Sequence, residues 1–463
     1  MNDPLIARLR DTLGPAAVLC GEAIPERNRA DATKLSPSLP AALVLPRTTA
    51  DVSSALAICF EAGRPVVTQG GMTGLCGGAH PGEGEIALSL ERLAGIEEVD
   101  TVAGTLTALA GTPLQTIQTA AEEAGFLCGI DLGARGSCTI GGNVATNAGG
   151  NQVIRYGMTR RNVLGLEVVQ ADGTVVTSLN KMLKNNTGYD WTQLFIGSEG
   201  TLGVVTKVVL GLHPRPGHLE TALLALPDMA AAIAVLKRLE REFGAGLLVF
   251  EGMWREFVEA AVDRIGLPAP FAEPHELLVL TELAPGGAAA QERVEEALAA
   301  LHEEGLVTDA LVARSGADAG RLWAYRESVY DYGRFQSAFA GFDIAIPRGA
   351  IAEAVEELRS TAASRYPEYL QVVFGHIADS NLHLVVGPTD LSVPMSGDDK
   401  LRVEEGVYGV VRRHGGSVSA EHGIGRTKRR WLGHSRTPEE LALMRSIKAA
   451  LDPKNILNPG RVL

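Results

Sequence analysis

The stretch 69-QGGMTGLCGG-78 decides the fold of this chain, because it directly follows a predicted strand and five of its ten residues are glycine. Without Cβ atoms, several backbone N–H groups can converge and form a nest that accepts the oxygens of a pyrophosphate. A mobile surface loop is the alternative explanation of the same composition. The spacing matches neither a GxxxxGK(S/T) phosphate loop nor a well-placed dinucleotide-binding GxGxxG motif, so both of those classes are excluded.

Two further glycine-rich segments follow. Residues 129–157 contain SCTIGGNVATNAGG, whose small residues allow the backbone to lie flat against a large planar ligand. Residues 185–206, NNTGYDWTQLFIGSEGTLGVVT, end in a glycine turn that leads into a strand. Three such segments are hard to explain as surface loops, whereas one extended, phosphate-bearing ligand explains them together.

The bulk composition narrows the class of protein. With 463 residues, 46% of them hydrophobic and 21% charged, the chain is typical of a globular protein of two or three domains. A formal net charge of −13 argues against nucleic acid as a partner. Five cysteines without a CxxC pair predict reduced thiols. We expect a cytoplasmic protein, because there is no basic leader, and no transmembrane segment, because no apolar run approaches about eighteen residues.

The pattern of elements changes along the chain. Glycine-rich strands dominate to about residue 215, where 213-HPRPGH-218 is expected to break every element and to form a domain boundary. Long Ala/Glu/Leu/Arg helices then alternate with strands to about residue 415, which predicts an α+β layer with helices on one face of an antiparallel sheet. We therefore predict domains at 1–215 and 216–415, and a C-terminal segment at 416–463.

Two histidines lie close together in 374-FGHIADSNLHL-384. A strand–turn–strand conformation would place His376 and His383 side by side, where neutral imidazoles can share a divalent ion. A hydrogen-bonded pair in the core is the alternative. The later motif 419-SAEHGIGR-426 favours the metal, because Glu421 offers a third ligand and the adjacent His422 points elsewhere, which leaves it available for proton transfer. Two histidines and a glutamate with open positions are typical of a catalytic site.

These motifs, together with 419-SAEHGIGRTKRRWL-432 and 451-LDPKNILNPGRVL-463, closely resemble the FAD-linked oxidoreductases of the vanillyl-alcohol-oxidase fold. Within that fold the resemblance is to the D-2-hydroxyacid dehydrogenases, which include hydroxyglutarate, lactate and glycolate enzymes. It extends from about residue 38 to the C-terminus. It implies an α+β protein with a two-lobed FAD-binding domain, a ferredoxin-like α+β cap domain that carries the substrate site, and a C-terminal return to the FAD domain.

The resemblance also implies which residues bind FAD. Met72 stands near the position where some relatives tether the flavin through a histidine, so non-covalent FAD is expected. Four groups of residues correspond to the family's contacts with FAD. The pyrophosphate loop corresponds to Gln69, Gly70, Gly71, Met72, Thr73, Gly74 and Gly77, and the segment along the ADP and ring corresponds to Asp131, Leu132, Gly133, Ser137, Gly141, Gly142, Asn143 and Ala145. Gly200 and Val205 correspond to the contacts with the pyrimidine edge, and Asn458 corresponds to the C-terminal contact.

For the chemistry, the resemblance implies that His376, His383 and Glu421 bind the ion that chelates a D-2-hydroxy acid. Zn²⁺ is the first choice on ligand type, and Mn²⁺, Co²⁺ and Fe²⁺ stay open. His422 would take the hydroxyl proton while hydride passes from C2 to the flavin N5; abstraction of the C2 proton is the competing variant. Arg326 would pair with the substrate C1 carboxylate, although the sequence alone would favour an arginine on a helix surface.

The chain departs from the hydroxyglutarate enzymes at three positions. Those enzymes carry a threonine, a lysine and an asparagine where this chain has Tyr330, Gly341 and Val385. Losing the lysine would leave a distal carboxylate unpaired at a cost of several kcal/mol. We therefore expect a D-2-hydroxy acid with a small or apolar side chain, such as lactate or a branched or aromatic homologue. Arg334 or Arg348 could restore a cation, which keeps hydroxyglutarate open.

Three further alternatives concern the partners. An oxidase would return electrons to O₂, and a dehydrogenase would pass them to an acceptor protein or a quinone. A flavoprotein subunit of a glycolate-oxidase-like complex would pass them to a separate iron–sulfur protein, because this chain lacks the cysteines for a cluster. The resemblance also leaves a homodimer open.

Overall fold

The chain forms two compact units in the computed structural model, which describes residues 3–33, 35–286, 290–331, 339–390 and 393–463. The first unit comprises Met1–Gly150, Tyr156–Arg215 and Glu421–Leu463, and the second comprises Asn151–Arg155 and Pro216–Ala420. The predicted cap domain runs from 216 to 415, whereas the second unit continues to Ala420. No helix among the described residues is long and apolar enough to cross a bilayer.

The first unit begins with a small sheet in the order β1-β2-β4-β3. Strands β2, β3 and β4 are parallel, and β1 is antiparallel to β2. The second helix of this lobe follows β2 and begins with a capping box, in which the side chains of Thr48 and Asp51 each accept the backbone N–H of the other residue. The elements are α1 (Pro4–Leu13), β1 (Val18–Leu19), β2 (Ala42–Val44), α2 (Thr49–Glu61), β3 (Val66–Gln69) and β4 (Ile86–Ser89).

A second, antiparallel sheet of the first unit has the order β5-β6-β10-β8-β9. One apolar core joins residues of both sheets and of the helices that pack on them. The elements are β5 (Ile96–Asp100), β6 (Thr105–Leu109), α3 (Leu114–Glu123), β7 (Phe126–Leu127), α4 (Ile140–Thr146), α6 (Thr159–Asn162), β8 (Val163–Val169), β9 (Val175–Ser178), α7 (Thr192–Phe195), β10 (Val204–Gly211) and β11 (His213–Pro214), whereas α5 (Val153–Tyr156) lies, apart from its last residue, in the short segment that belongs to the second unit.

The expectation that 213–218 breaks every element is wrong for its first two residues. His213 and Pro214 form β11, which pairs antiparallel with β7. Proline is tolerated there because a two-residue edge strand does not need every ladder hydrogen bond. The division between the units follows directly, at Arg215.

The second unit is built on a seven-stranded antiparallel sheet in the order β15-β12-β14-β13-β17-β18-β16. Its elements are β12 (Glu220–Leu226), α8 (Met229–Phe243), β13 (Leu247–Trp254), α9 (Arg255–Ala260), β14 (Leu277–Leu283), α10 (Ala290–Glu303), β15 (Asp309–Val312), α11 (Gly316–Glu327), β16 (Ala340–Ala345), α12 (Ile351–Arg365), β17 (Tyr369–His376), β18 (Asn381–Pro388) and α13 (Gly397–Arg413). The predicted α+β class is confirmed, with the helices placed differently from the prediction.

Helices cover both faces of this sheet rather than one. Phe257 of α9 and Leu322 of α11 pack into an apolar cluster with Met253 on one face. On the opposite face, Phe342 meets Tyr408 of α13 edge to face at 5.4 Å. Every residue of β12, β13 and β14 is buried, so both faces of the sheet must be covered. The order of helices and strands in the sequence does not show on which face each helix packs.

The last segment of the chain completes the first unit. After α14 (Pro438–Leu451), Leu457 forms an isolated parallel bridge with Val66 of β3, at the edge of the small sheet. The Arg461 side chain is fully buried and donates hydrogen bonds to both carboxylate oxygens of Glu85 at 2.6 and 2.7 Å. These contacts hold the C-terminal segment against the edge of the sheet from which the glycine loop leaves.

Candidate functional site

The glycine loop of the first unit leaves the end of β3 and lies directly on the segment that leads into α4. A Cβ on Gly70 would stand 2.6 Å from the Oγ1 atom of Thr139, and a Cβ on Gly71 would stand 2.0 Å from the carbonyl oxygen of Ser137. Any side chain at either position would therefore force the two segments apart. We call the groove formed by 68–78, 137–142 and Asn458 the cofactor cradle.

Two threonine hydroxyls in this cradle have no hydrogen-bond partner among the described residues. They are the Oγ1 atoms of Thr68 and Thr139, and both are buried. A buried hydroxyl without a partner costs free energy, so such groups indicate a ligand or a water at the site. The donors and the narrow glycine groove fit the phosphate groups of a dinucleotide. Neither threonine stood among the expected cofactor residues, because hydroxyl residues are too common in sequences to be singled out.

Asn458 is brought to the cradle by the C-terminal segment. Its Oδ1 atom accepts the backbone N–H of Thr68 at 2.9 Å, and its Nδ2 atom donates to the carbonyl of Glu199 at 2.7 Å. A Cβ on Gly200 would lie 3.1 Å from that amide nitrogen. The structure therefore brings together three regions that are far apart in the sequence: the end of β3, the turn before β10 and the C-terminal segment.

The other expected cofactor residues differ in how accessible they are. The Gln69 side chain is fully buried and bonds to Asn28, which gives it a role in holding the loop. Asp131 pairs with Arg135 at 2.9 Å. Asn143 is buried against Cys138. Buried members of the set are Gly77, Gly141 and Val205, half-buried ones are Met72, Thr73, Leu132, Gly142 and Ala145, and exposed ones are Gly74, Gly133 and Ser137.

In the second unit, His376 and His383 lie at the two sides of the hairpin formed by β17 and β18. Phe374 is the register partner of His383, so His376 stands diagonally across from His383 on the same face. The two imidazole rings are buried, with centroids 5.3 Å apart and planes at 78°. The sequence therefore placed these two side chains together correctly.

A buried carboxylate lies behind His376. Glu251 of β13 accepts a hydrogen bond from Nδ1 of His376 through one oxygen, and from Nε of Arg326 at 2.7 Å through the other. Burial alone would raise the pKa of Glu251, but the charges and hydrogen bonds of His376 and Arg326 outweigh it and lower the pKa to about 2. The contacts with His376 and Arg326 thus favour the carboxylate form of Glu251.

Asp343 is a second buried carboxylate on the same face, opposite His383 in the register of β16 and β18. Its Oδ1 atom lies 4.0 Å from Nδ1 of His383 and accepts a hydrogen bond from the Asn381 amide at 2.9 Å. Its Oδ2 atom accepts bonds from the Ser419 hydroxyl and the Ala420 N–H, both at 3.1 Å. Asp343 therefore fixes the last residues of the second unit.

Glu421 and His422 follow Ala420 directly but belong to the first unit. The Oε1 atom of Glu421 accepts the backbone N–H of Gly150 at 2.7 Å. A Cβ on Gly149 would stand 2.2 Å from the same oxygen, so only glycine lets the carboxylate approach this turn. The expected ligand set thus draws on both units, with its two histidines in one and its glutamate in the other.

Arg326 occupies the face of the sheet that carries the histidines. It is buried, and its guanidinium carbon lies 4.8 Å from the centre of the Phe374 ring. The same ring stacks on His383 at 5.1 Å with planes 29° apart. The Nε edge of Arg326 faces Glu251, a partner that the sequence did not suggest. We call Glu251, Arg326, Asp343, His376 and His383 the histidine cluster.

Gly341 and Val385, two of the three positions that depart from the hydroxyglutarate enzymes, are register partners on β16 and β18. Val385 packs, partly buried, on the apolar cluster of this face. Tyr330 is 63% exposed, in the short 3-10 turn after α11. Arg348 pairs with Glu240 at 3.0 Å. Arg334 lies outside the described residues.

Comparison with known proteins supplies the family. The FAD binding domain family matches residues 40–178, and the family of FAD linked oxidases, C-terminal domain, matches residues 215–462. The chain is 37% identical over 468 residues to D-2-hydroxyglutarate dehydrogenase of Xanthomonas citri pv. viticola, which covers 100% of this chain and 97% of that protein. It is 40% identical over 422 residues to the mitochondrial D-2-hydroxyglutarate dehydrogenase of Bos taurus, which covers 91% of this chain and 76% of that protein.

The fold is also found in a solved structure of low sequence identity. Substrate-bound p-cresol methylhydroxylase superposes with a TM-score of 0.79 at 16% identity, which covers 99% of this chain and 96% of that one. This likeness concerns the fold alone. Together with the family matches, it confirms the predicted fold class, an FAD-binding protein of the vanillyl-alcohol-oxidase type.

The cradle generates a first prediction. Gly71→Ala should yield folded protein that has lost most of its FAD, because the new Cβ would collide with the Ser137 carbonyl at 2.0 Å. The ratio of absorbance at 450 and 280 nm after purification measures the FAD content. Gly433→Ala is the control, since a Cβ there meets no atom within 4 Å. Equal FAD content in the two variants would contradict the assignment of the cradle.

Proposed function

We propose a substrate class for this chain, which belongs to the FAD-linked oxidases, in the group of FAD-dependent D-2-hydroxyacid dehydrogenases. The substrate is a D-2-hydroxy acid with a small or apolar side chain, and the product is the corresponding 2-oxo acid. The observation that carries the proposal is the pairing of Gly341 with Val385 beside the histidine cluster. The FAD-dependent reaction class is inferred from the family, and the preference for the substrate side chain is inferred from Gly341 and Val385.

Bound FAD supplies the acceptor for the hydride that leaves C2 of the substrate. The chain's part is to hold the cofactor in place. The N–H groups of the glycine loop and the hydroxyls of Thr68 and Thr139 are the donors that fit its pyrophosphate. Asn458, fixed between Thr68 and Glu199, closes the cradle on the side of the C-terminal segment.

His376, His383 and Glu421 would hold a divalent ion, with Zn²⁺ as the first choice and Mn²⁺, Co²⁺ and Fe²⁺ open. The donor set of the second unit fits such an ion. The imidazoles of His376 and His383 are buried and close together, and His376 uses Nδ1 for the carboxylate of Glu251, which leaves Nε2 as the atom that can bind metal. An ion held there would lower the pKa of the substrate hydroxyl and bind its carboxylate.

His422 and Arg326 would act on the substrate itself. We assign to a ring nitrogen of His422 the proton of the C2 hydroxyl, which must leave as the C–O bond becomes a carbonyl and the hydride departs. The guanidinium of Arg326 would pair with the C1 carboxylate through its Nη atoms, since its Nε atom is bound to Glu251. Removal of the C2 hydrogen as a proton is the competing variant.

The charge at the distal end of the side chain distinguishes the possible substrates. A hydroxyglutarate side chain ends in a carboxylate, and that carboxylate needs a cation if water is excluded around it. Gly341 offers no side chain, its register partner Val385 is apolar, and Arg348 is already paired with Glu240. A small or apolar substrate side chain requires no such partner and gains from contact with Val385.

Hydroxyglutarate itself is the second candidate. It is favoured by the names of the relatives at 37 and 40% identity, which are D-2-hydroxyglutarate dehydrogenases. The two candidates differ in one measurable quantity, the selectivity between a charged and an uncharged distal group. The electron acceptor, a homodimer and the cytoplasmic location stay predictions, and the relative from Bos taurus is mitochondrial by name.

A substrate panel tests the proposal. Under anaerobic conditions, D-lactate and its branched and aromatic homologues should bleach the flavin of the wild-type protein faster than D-2-hydroxyglutarate at equal concentration, because only the latter brings an unpaired charge. Stopped-flow absorbance at 450 nm measures the rates. Comparing re-oxidation by O₂ with re-oxidation by a dye separates an oxidase from a dehydrogenase. Faster bleaching by D-2-hydroxyglutarate would select the second candidate.

The metal site gives a further prediction. His376→Ala should abolish turnover while the protein stays yellow with FAD, because one of three ligands is lost and the cradle lies in other parts of the chain. Steady-state assays with a dye acceptor, before and after treatment with a chelator, measure this. His414→Ala is the matched control, since His414, directly after α13, also pairs with a glutamate, Glu357 of α12. Full turnover in His376→Ala would reject the metal site.

The pocket can also be changed deliberately. Gly341→Lys should raise kcat/KM for D-2-hydroxyglutarate at least tenfold, about 1.4 kcal/mol, because it restores a cation for the distal carboxylate. The backbone tolerates the change, since the new Cβ approaches only the edge of Phe339 at 3.4 Å. Gly341→Met, of similar length but without charge, is the control. Equal effects of the two substitutions would show that length, and not charge, governs the pocket.

A further inference from the structure

Glu251 is a buried carboxylate of the histidine cluster that contacts both His376 and Arg326. It is 1% exposed and lies in the middle of a strand, where a charge is expensive unless it is paired and hydrogen-bonded. Each of its two oxygens has one partner: Nδ1 of His376 for one and Nε of Arg326 for the other. A single carboxylate thus holds both a proposed metal ligand and the proposed substrate arginine.

The contact with His376 orients its ring. Nδ1 of His376 faces one oxygen of Glu251, so Nε2 is the ring nitrogen through which His376 would bind an ion. Metal-binding histidines commonly donate their second N–H to a carboxylate, which orients the ring and makes the ligand more basic. Without Glu251, the imidazole could rotate or take the other tautomer, and the donor atom would move away from His383.

The bond to Arg326 decides how the guanidinium is presented. Nε points at Glu251, and the plane is held over the Phe374 ring, whose other contact is the stacked ring of His383. With the Nε edge fixed in this way, the Nη edge takes one direction only. The same carboxylate therefore sets the direction of the arginine fork and the direction of the histidine lone pair.

We propose that Glu251 is a positioning residue that locks His376 as a metal ligand through Nε2 and Arg326 as a carboxylate fork, and so sets the distance between the two ends of the bound 2-hydroxy acid head group. The inference rests on the proposed function, because it gives His376 and Arg326 the roles assigned there. Nothing in the sequence of β13, LLVFEGMW, distinguishes this glutamate from a misplaced surface residue.

Glu251→Gln tests the proposal. The amide has the shape of the carboxylate, but it offers one acceptor and one donor to two N–H groups, so one of them must lose its partner. We expect the FAD-loaded, metal-stripped full-length variant to bind Zn²⁺ 10–100-fold more weakly than the wild type in competition with a chromophoric chelator. We also expect a raised KM for the hydroxy acid, with FAD content unchanged.

Glu282→Gln is the matched control. Glu282 is a buried glutamate two residues beyond the register partner of Glu251 on the neighbouring strand, and it accepts a hydrogen bond from Trp323 at 2.7 Å. If the loss of Zn²⁺ affinity came only from replacing a buried glutamate in this sheet, both variants would lose it to the same extent. The proposal requires the loss in Glu251→Gln only.

The outcomes separate this inference from the function on which it rests. Wild-type protein that binds no Zn²⁺ would overturn the metal site and this inference together. Wild-type protein that binds Zn²⁺, with the same affinity retained in Glu251→Gln, would overturn the positioning role alone. If Glu251→Gln does not fold, Glu251→Asp replaces it: the shorter carboxylate keeps its charge but cannot reach both partners, so an intermediate loss of Zn²⁺ affinity is expected, and wild-type affinity would overturn the role.

Discussion

A buried, ionised carboxylate is the constraint on which the histidine cluster depends. Glu251 sits at full burial between an imidazole and a guanidinium, and a charge in that position is tolerated only because both partners are present. Removing any one of these three side chains would therefore break at least one of the two buried hydrogen bonds of Glu251. Such a network fixes side-chain directions more firmly than apolar packing, which permits several rotamers at similar free energy.

The cofactor cradle depends on close backbone packing and not on buried charges. Where the cluster is held by charge, the cradle is made by the absence of side chains at Gly70 and Gly71, which lets two backbone segments touch. The buried hydroxyls of Thr68 and Thr139 are polar groups within it. The two units thus rely on different interactions at these places: close backbone packing in the first, and buried ionic pairs in the second.

The sequence alone revealed the parts of the site that are local in the chain. Glycine clusters and the paired histidines of one hairpin were found because turn chemistry and strand alternation act over a few residues. Glu251, Asp343 and the two cradle threonines were missed, because their meaning depends on which strands become neighbours. The register that sets Glu251 opposite His376 joins residues 125 positions apart, and no local pattern encodes it. The coverage of both sheet faces was missed for the same reason.

The C-terminal segment has a consequence for biosynthesis. Leu457 adds to the sheet that begins with β1, and Arg461 is buried against Glu85, yet both leave the ribosome after the entire second unit. A nascent chain therefore lacks the bridge from Leu457 and the Arg461 partner of Glu85 while the whole α+β unit between is being made. The second unit can fold as an insertion in the meantime, and the flavin lobe becomes complete only when translation has passed residue 461. Asn458, which joins Thr68 to Glu199, is therefore among the last residues to reach its place.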